Sequence, residues 1–213
     1  IKAKDRLQHM YVIGKTGMGK STLLQNMAIS DMQQGNGIAV IDPHGDLATN
    51  LLAYVPATRN DDTVYFDATN TISPIGFNPL YATQEPRRSV VTSILIATFK
   101  RIWIDSWGPR LEYILRNTLL SLLESGREVT LLDIVPVLVS KDFREQIIYR
   151  LYSKQLISFW RDEFDKYPAA LRTEVIAPIL NKVGVFASNP ILSGILGQKT
   201  SSIDLSAIMN NKK

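Results

Sequence analysis

The chain contains no cysteine. Disulfides and thiolate metal sites are therefore excluded, and the composition is consistent with a reducing compartment. Only two histidines occur, His9 and His44, too few for a histidine-rich zinc site. No run of about 18 apolar residues is present, so nothing reads as a membrane span. No secretory leader is visible either, since the opening IKAKDRLQH is polar and basic. A strong excess of one charge is also lacking. Lys and Arg number 24 against 20 Asp and Glu, a net charge of +4, which permits a polyanionic partner without requiring one. What the chain has is size and apolar content: 213 residues, 45% hydrophobic, enough for one large domain or a core carrying an insertion. A start without Met and the polar end Asn210-Asn211-Lys212-Lys213 read as a piece cut from a longer protein.

The stretch Gly14-Lys15-Thr16-Gly17-Met18-Gly19-Lys20-Ser21-Thr22 fits the phosphate-binding pattern G-x-x-x-x-G-K-[ST]. Its flanks suit the pattern. Met10 to Ile13 reads as a short buried strand, and Thr22 to Gln33 as a helix free of Pro and Gly. Glycines let such a loop turn successive N–H groups inward on a phosphate. The helix behind it adds its unpaired N-terminal N–H groups and the positive end of its dipole. In this arrangement Lys20 is expected to reach the β- and γ-phosphates of a nucleotide, Ser21 to be a ligand to Mg2+, and Thr22 to face the sheet or the nucleotide.

The first 84 residues alternate in pattern. Strands are expected at Tyr11–Ile13, Gly37–Asp42 and Thr63–Phe66, with helices at Lys20–Gln33 and Leu47–Tyr54. Ile38 to Ile41 is unbroken and apolar, as in a strand covered on both faces. This order implies an α/β fold with a parallel sheet flanked by helices. From residue 85 to 196 the period becomes helical, which predicts an all-α insertion domain, with residues 197–213 returning to the core. Arg88–Trp103 places Val91, Ile94, Leu95, Thr98 and Ile102 on one stripe. Arg110–Glu124 places Leu111, Ile114, Leu115, Thr118, Leu119, Leu122 and Leu123 on another. Further helices are expected at 131–139, 142–152, 153–165 and 170–187, the last kinked or ended by Pro178.

Asp42-Pro43-His44-Gly45-Asp46 follows the second expected strand. Ligands of parallel sheets bind at that edge. Asp42 and Asp46 are thus candidates to face Mg2+ and its water, and His44 to position the γ-phosphate. The alternative is an ordinary turn in which Asp46 caps the next helix. Ile38–Asp42 also imitates a strand-plus-carboxylate (Walker B) motif. Leu156–Glu163 imitates one too, but Arg161 interrupts it and its period is helical. Arg87, Arg88, Lys100, Arg101, Arg110, Arg116 and Arg127, with Trp103 and Trp107 among them, read either as a nucleic-acid surface or as solvated helix faces over buried tryptophans.

Gly14–Thr22, Ile41-Asp42-Pro43-His44-Gly45-Asp46-Leu47, Val64-Tyr65-Phe66-Asp67 and Gly76-Phe77-Asn78-Pro79-Leu80 resemble the HerA/FtsK superfamily of DNA-pumping ATPases. Trp107-Gly108-Pro109-Arg110-Leu111-Glu112 within a helical insertion resembles the coupling proteins and conjugation ATPases of type IV secretion. The resemblance implies a RecA-like core, Mg-ATP hydrolysis, a homo-hexameric ring and DNA in a central channel. The phosphate-loop pattern and the place of Asp42 after the second expected strand make Lys20, Asp42 and His44 the candidate catalytic residues, and Ser21 and Asp42 the candidate metal ligands. The resemblance further implies docking of a relaxase or other secretion substrate through residues 85–196, and a cytoplasmic location, at the inner membrane where an anchor exists upstream. The family's own acidic strand, polar sensor and arginine finger are expected beyond Lys213, so this piece should bind nucleotide better than it hydrolyses it. A helicase-type ATPase, a nucleotide kinase and a docking module without turnover remain as alternatives.

Overall fold

The computed structural model describes residues 8–81 and 87–211. The expected domain boundary between 84 and 85 lies outside the described residues. The chain divides into two compact units: Ile1–Tyr65 with Asp204–Lys213, and Phe66–Ile203.

Among the described residues there is no β-strand, which corrects the expected α/β RecA-like core with its parallel sheet. Segments 11–13, 37–42 and 63–66 carry no ladder hydrogen bonds. Their side chains lie open: Ile41 is 94% exposed, Tyr11 87% and Ile13 80%. The physical reason is that a strand exists only through a partner backbone. An apolar run carries strand propensity but does not supply the neighbour that makes propensity count. The first unit is instead built of α1 (Lys20–Gln33), α2 (Asp46–Leu52), a 3-10 stretch (Ala57–Asp62) and α10 (Leu205–Asn210). Arg59 closes α1 by donating to the carbonyls of Met32 at 3.2 Å and Asn36 at 2.9 Å. Among the described residues of this unit, only Met32 and Leu51 are buried hydrophobics.

The second unit holds the core. It comprises α3 (Arg87–Ile102), α4 (Pro109–Glu124), α5 (Ile134–Val139), α6 (Lys141–Ile148), α7 (Lys154–Ser158), a π turn (Phe159–Glu163), α8 (Ala169–Ser188) and α9 (Pro190–Leu196). Helix α4 is central. Every member of its expected stripe, from Leu111 to Leu123, is buried, and α3, α5 and α8 pack around it. Pro sits at its first helical position, where a missing N–H costs nothing. Helix α3 turns a different face inward than its stripe predicts: Thr92, Leu95, Ile96 and Phe99 are buried, while Ile94 and Ile102 are exposed. Phe99 stacks near Trp103 and Phe186, each at 5.7 Å between ring centroids, and this cluster fixes the rotation of α3. Pro178 does not end α8, which runs through it. Among the described residues no single helix is long and apolar enough to cross a membrane; α8 and α9 meet that test only as a pair bent by 92°.

The Gly76–Leu80 segment has a structural role in this unit. Asn78, 3% exposed, donates its amide to the carbonyls of Val129 at 2.8 Å and Lys199 at 2.9 Å, and accepts from the Leu80 N–H at 3.0 Å. Ser201 Oγ accepts from the Asn78 N–H, and Phe77 donates to the Ile195 carbonyl. This segment and the 194–202 stretch are therefore clasped together. Gly76 is required there, because a Cβ would lie 2.6 Å from Gln198 Oε1 and 3.0 Å from the Thr200 carbonyl.

Candidate functional site

The loop from Gly14 to Gly19 enters α1 through two left-handed glycines, Gly17 at φ 81° and Gly19 at φ 80°. A side chain at either position would strain the backbone. Gly19 is the N-cap of α1 and supplies no side chain to cap it. The N–H groups of Lys20, Ser21 and Thr22 thus stand at a helix start with no capping side chain, where an anion is favoured by both hydrogen bonding and the dipole. The chain closes on itself with Met18 N–H to Lys15 C=O at 3.3 Å and Leu23 N–H to Gly19 C=O at 2.9 Å. Lys20 folds back over the loop. Its Nζ donates to the Gly14 carbonyl at 2.6 Å and to the Lys15 carbonyl at 2.9 Å. The ammonium is thereby held at the mouth of the loop, within reach of whatever the amides bind. Ser21 and Thr22 are exposed, and the Ser21 hydroxyl has no hydrogen-bond partner among the described residues.

This donor set suits a triphosphate with a divalent cation. Left-handed glycines, uncapped amides and an ammonium meet phosphate oxygens; a free hydroxyl one residue after the lysine meets a hard cation that keeps most of its waters. Among the described residues no group of three or more His, Cys, Asp or Glu could form an all-protein metal cage.

Asp42 has a defined task. Its Oδ1 accepts from the His44 N–H at 3.1 Å, and its Oδ2 from Leu47 N–H at 2.8 Å and Ala48 N–H at 3.2 Å. These bonds, the one from His44 foremost, hold its carboxyl below the ordinary range, outweighing an opposing cost of desolvation. Asp42 is therefore an ionised cap on the first turn of α2. The capping alternative weighed for Asp46 belongs to Asp42 instead: Asp46 is exposed in the first turn, and the N-cap is Gly45 at φ 86°. His44 is exposed beside this turn. Among the described residues no hydrogen bond or ion pair joins Lys20, Ser21 or Thr22 to Asp42 or His44, so the loop and the Asp42 turn are two separately ordered pieces.

The tryptophans of the basic scatter are committed to packing. Trp103 lies against Phe99 and Phe186, and Trp107 Nε1 donates to Glu112 Oε2 at 2.8 Å. Arg116 pairs with Glu112 on the same helix. A different group escapes sequence reasoning. Arg127, Glu145, Gln146, Tyr149, Arg150 and Arg161 line an open concavity of about 560 Å3 on the helical unit. Only Arg127 belongs to the sequence-level set, since the six come from three elements that no local pattern links.

Residues 2–83 match the family model of the helicase HerA central domain. No curated protein and no solved structure matches the chain. The matched segment contains the phosphate loop, the Asp42 turn and Asn78. It supports a relation to the HerA/FtsK phosphate-loop ATPases, and ATP-binding ATPase chemistry at family level, without singling out the coupling-protein branch.

Proposed function

We propose that the chain is the nucleotide-binding part of an ATP-driven motor that moves DNA, serving conjugative transfer through type IV secretion. The observation that carries the reading is the Lys20 ammonium held over the Gly14–Gly19 loop at the uncapped start of α1, inside the segment that matches the HerA central domain.

When bound, Mg-ATP supplies a phosphoanhydride and a cation that neutralises charge on the phosphates. The protein's part is positioning and charge. Gly17 and Gly19 keep the loop turned so that its amides converge. Lys20 exchanges its two carbonyl partners for phosphate oxygens. Ser21 would hold the metal through its hydroxyl. Asp42, which caps α2 through three backbone donors, would face the metal's water shell, and His44 beside it would face the γ-phosphate. DNA as cargo and a homo-hexameric ring are supported by the resemblance of the Gly14–Thr22, Ile41–Leu47 and Gly76–Leu80 motifs to HerA/FtsK ATPases, and docking of a relaxase through residues 85–196 at the inner membrane by the resemblance of Trp107–Glu112 to coupling proteins.

ATP turnover of the complete motor with and without DNA tests this reading. Stimulation by DNA that vanishes in Lys20→Ala is expected. Phosphoryl transfer to a nucleotide acceptor, indifferent to DNA, would move the chain to the kinases. A docking module without turnover is favoured by one observation, the complete hydrophobic core within Phe66–Ile203. Capture of a relaxase with no DNA-stimulated hydrolysis would select that reading.

A further inference from the structure

We propose that the concavity on the helical unit holds a single nucleic-acid strand, with Arg127 and Arg150 on its phosphates and Tyr149 against a base. This deepens the DNA-motor reading and rests on it for the identity of the cargo, but the site lies wholly within Phe66–Ile203 and uses no residue of the phosphate loop.

Charge is the first argument. Three guanidinium groups face one carboxylate, and that carboxylate is consumed. Glu145 receives both of its hydrogen bonds from Arg161, one on each oxygen. Two positive charges are left over. Arg127 is held in place: Nη1 donates to Gln146 Oε1 at 2.8 Å, and the guanidinium lies 5.4 Å from the Phe143 ring centre. A held guanidinium loses little freedom on meeting a phosphate. Arg150 makes no side-chain hydrogen bond or ion pair among the described residues.

The ring is the second argument. Tyr149 is 91% exposed, whereas Phe159, Trp160 and Phe164 of the same unit are buried. Arg150, one residue past the C-cap of α6, has an ordinary explanation, since a cation near a helix C-terminus complements the dipole. That explanation leaves Tyr149 unaccounted for. A bare aromatic face beside spare arginines is how proteins hold single strands, with the cations following the backbone and the ring stacking a base. An acidic peptide would satisfy the arginines and leave the ring in water. The concavity is open, which suits a passing strand better than an enclosed small molecule.

The test is fluorescence anisotropy of the full chain with a labelled oligodeoxythymidine of about 20 nucleotides, without ATP, across a salt series. Tyr149→Ala is expected to weaken binding about five-fold or more, and Tyr149→Phe to keep it. Arg150→Ala is expected to weaken binding and lower the salt slope by about 0.7, one phosphate contact fewer. Thermal melts confirm that these exposed substitutions leave the fold intact. Wild-type affinity in both Ala variants overturns the site. So does equal competition by polyglutamate at matched charge, which assigns the surface to an acidic protein. Mg-ATP titrations on the same samples separate this outcome from the motor reading: the Tyr149 and Arg150 variants keep nucleotide binding, whereas Lys20→Ala loses nucleotide and keeps the strand.

Discussion

Replacing Arg144 with Ala removes the most buried cation of the helical unit. Its side chain is 2% exposed and its partner Asp165 is 20% exposed. Nε and Nη2 donate to Asp165 Oδ1 at 3.1 and 2.8 Å, and Nη1 donates to the Val137 carbonyl at 3.0 Å at the end of α5. The guanidinium also lies over Phe164 at 5.2 Å and Trp160 at 6.0 Å. Truncation leaves a largely buried carboxylate without its cation, a buried carbonyl without a donor, and a void among the rings. Breaking one side of a buried pair costs about 3–5 kcal/mol. Asp165 retains some contact with water, so the lower part of that range applies, about 3–4 kcal/mol. At roughly 2–4 °C per kcal/mol for a unit of this size, the melting point falls by roughly 6–16 °C. All three tryptophans, Trp103, Trp107 and Trp160, lie in this unit, so their fluorescence during urea or thermal unfolding reports on it alone. The double variant Arg144→Met, Asp165→Leu should recover most of the loss, because it removes the stranded charge as well. A cost below about 1 kcal/mol for Arg144→Ala, the range of a surface pair, would refute the reasoning.

Asn78→Ala strips partners from the Val129 and Lys199 carbonyls and the Leu80 N–H, and should cost about 2–4 kcal/mol by the same fluorescence assay. An unchanged unfolding curve would show that the clasp is not holding the 194–202 stretch. Burial, and then its hydrogen bond to Glu163 at 2.6 Å, pushes the Tyr167 phenol up to about 12. Because this value is raised above that of the unfolded chain, near 10, the associated stability is full below that pH and is lost as pH climbs through about 12. Among the eight tyrosines, ultraviolet titration should show Tyr167 as a late phenol, with Tyr113 also displaced upward by its hydrogen bond to Glu163, and a single transition near 10 for all of them would contradict the burial. Gly19→Ala forces a side chain into φ 80° and should add about 1–2 kcal/mol of local strain, read as weaker Mg-ATP affinity with the helical unit's melting point unchanged.

What the sequence made legible follows how local each feature is. The loop from Gly14 to Thr22 was readable because glycine spacing sets backbone angles directly, and Gly17 and Gly19 adopt the left-handed values this requires. The α4 stripe was readable because apolar spacing along one helix needs no partner to be seen. Helix α3 was misread in rotation: it carries apolar residues on more than one side, and the choice of Thr92, Leu95, Ile96 and Phe99 is made by Trp103 and Phe186. Segments 11–13, 37–42 and 63–66 carry strand propensity without forming strands for a related reason, since pairing is a property of two segments and the apolar pattern of one does not reveal its partner. The place of Asp42 after an apolar run marks it as a candidate, but its cap on Leu47 and Ala48 depends on a turn geometry that spacing does not reveal. Arg144 and the Tyr149 concavity left no trace in sequence, because their partners come from separate elements.

The most direct measurement is calorimetric titration of the chain with ATP in the presence and absence of Mg2+, for wild type and Lys20→Ala. Saturable, Mg2+-dependent heat in the wild type, lost when the ammonium is removed, is the predicted result. Identical heats in the two proteins, or none in either, would contradict the assignment of the Gly14–Thr22 loop as a triphosphate site.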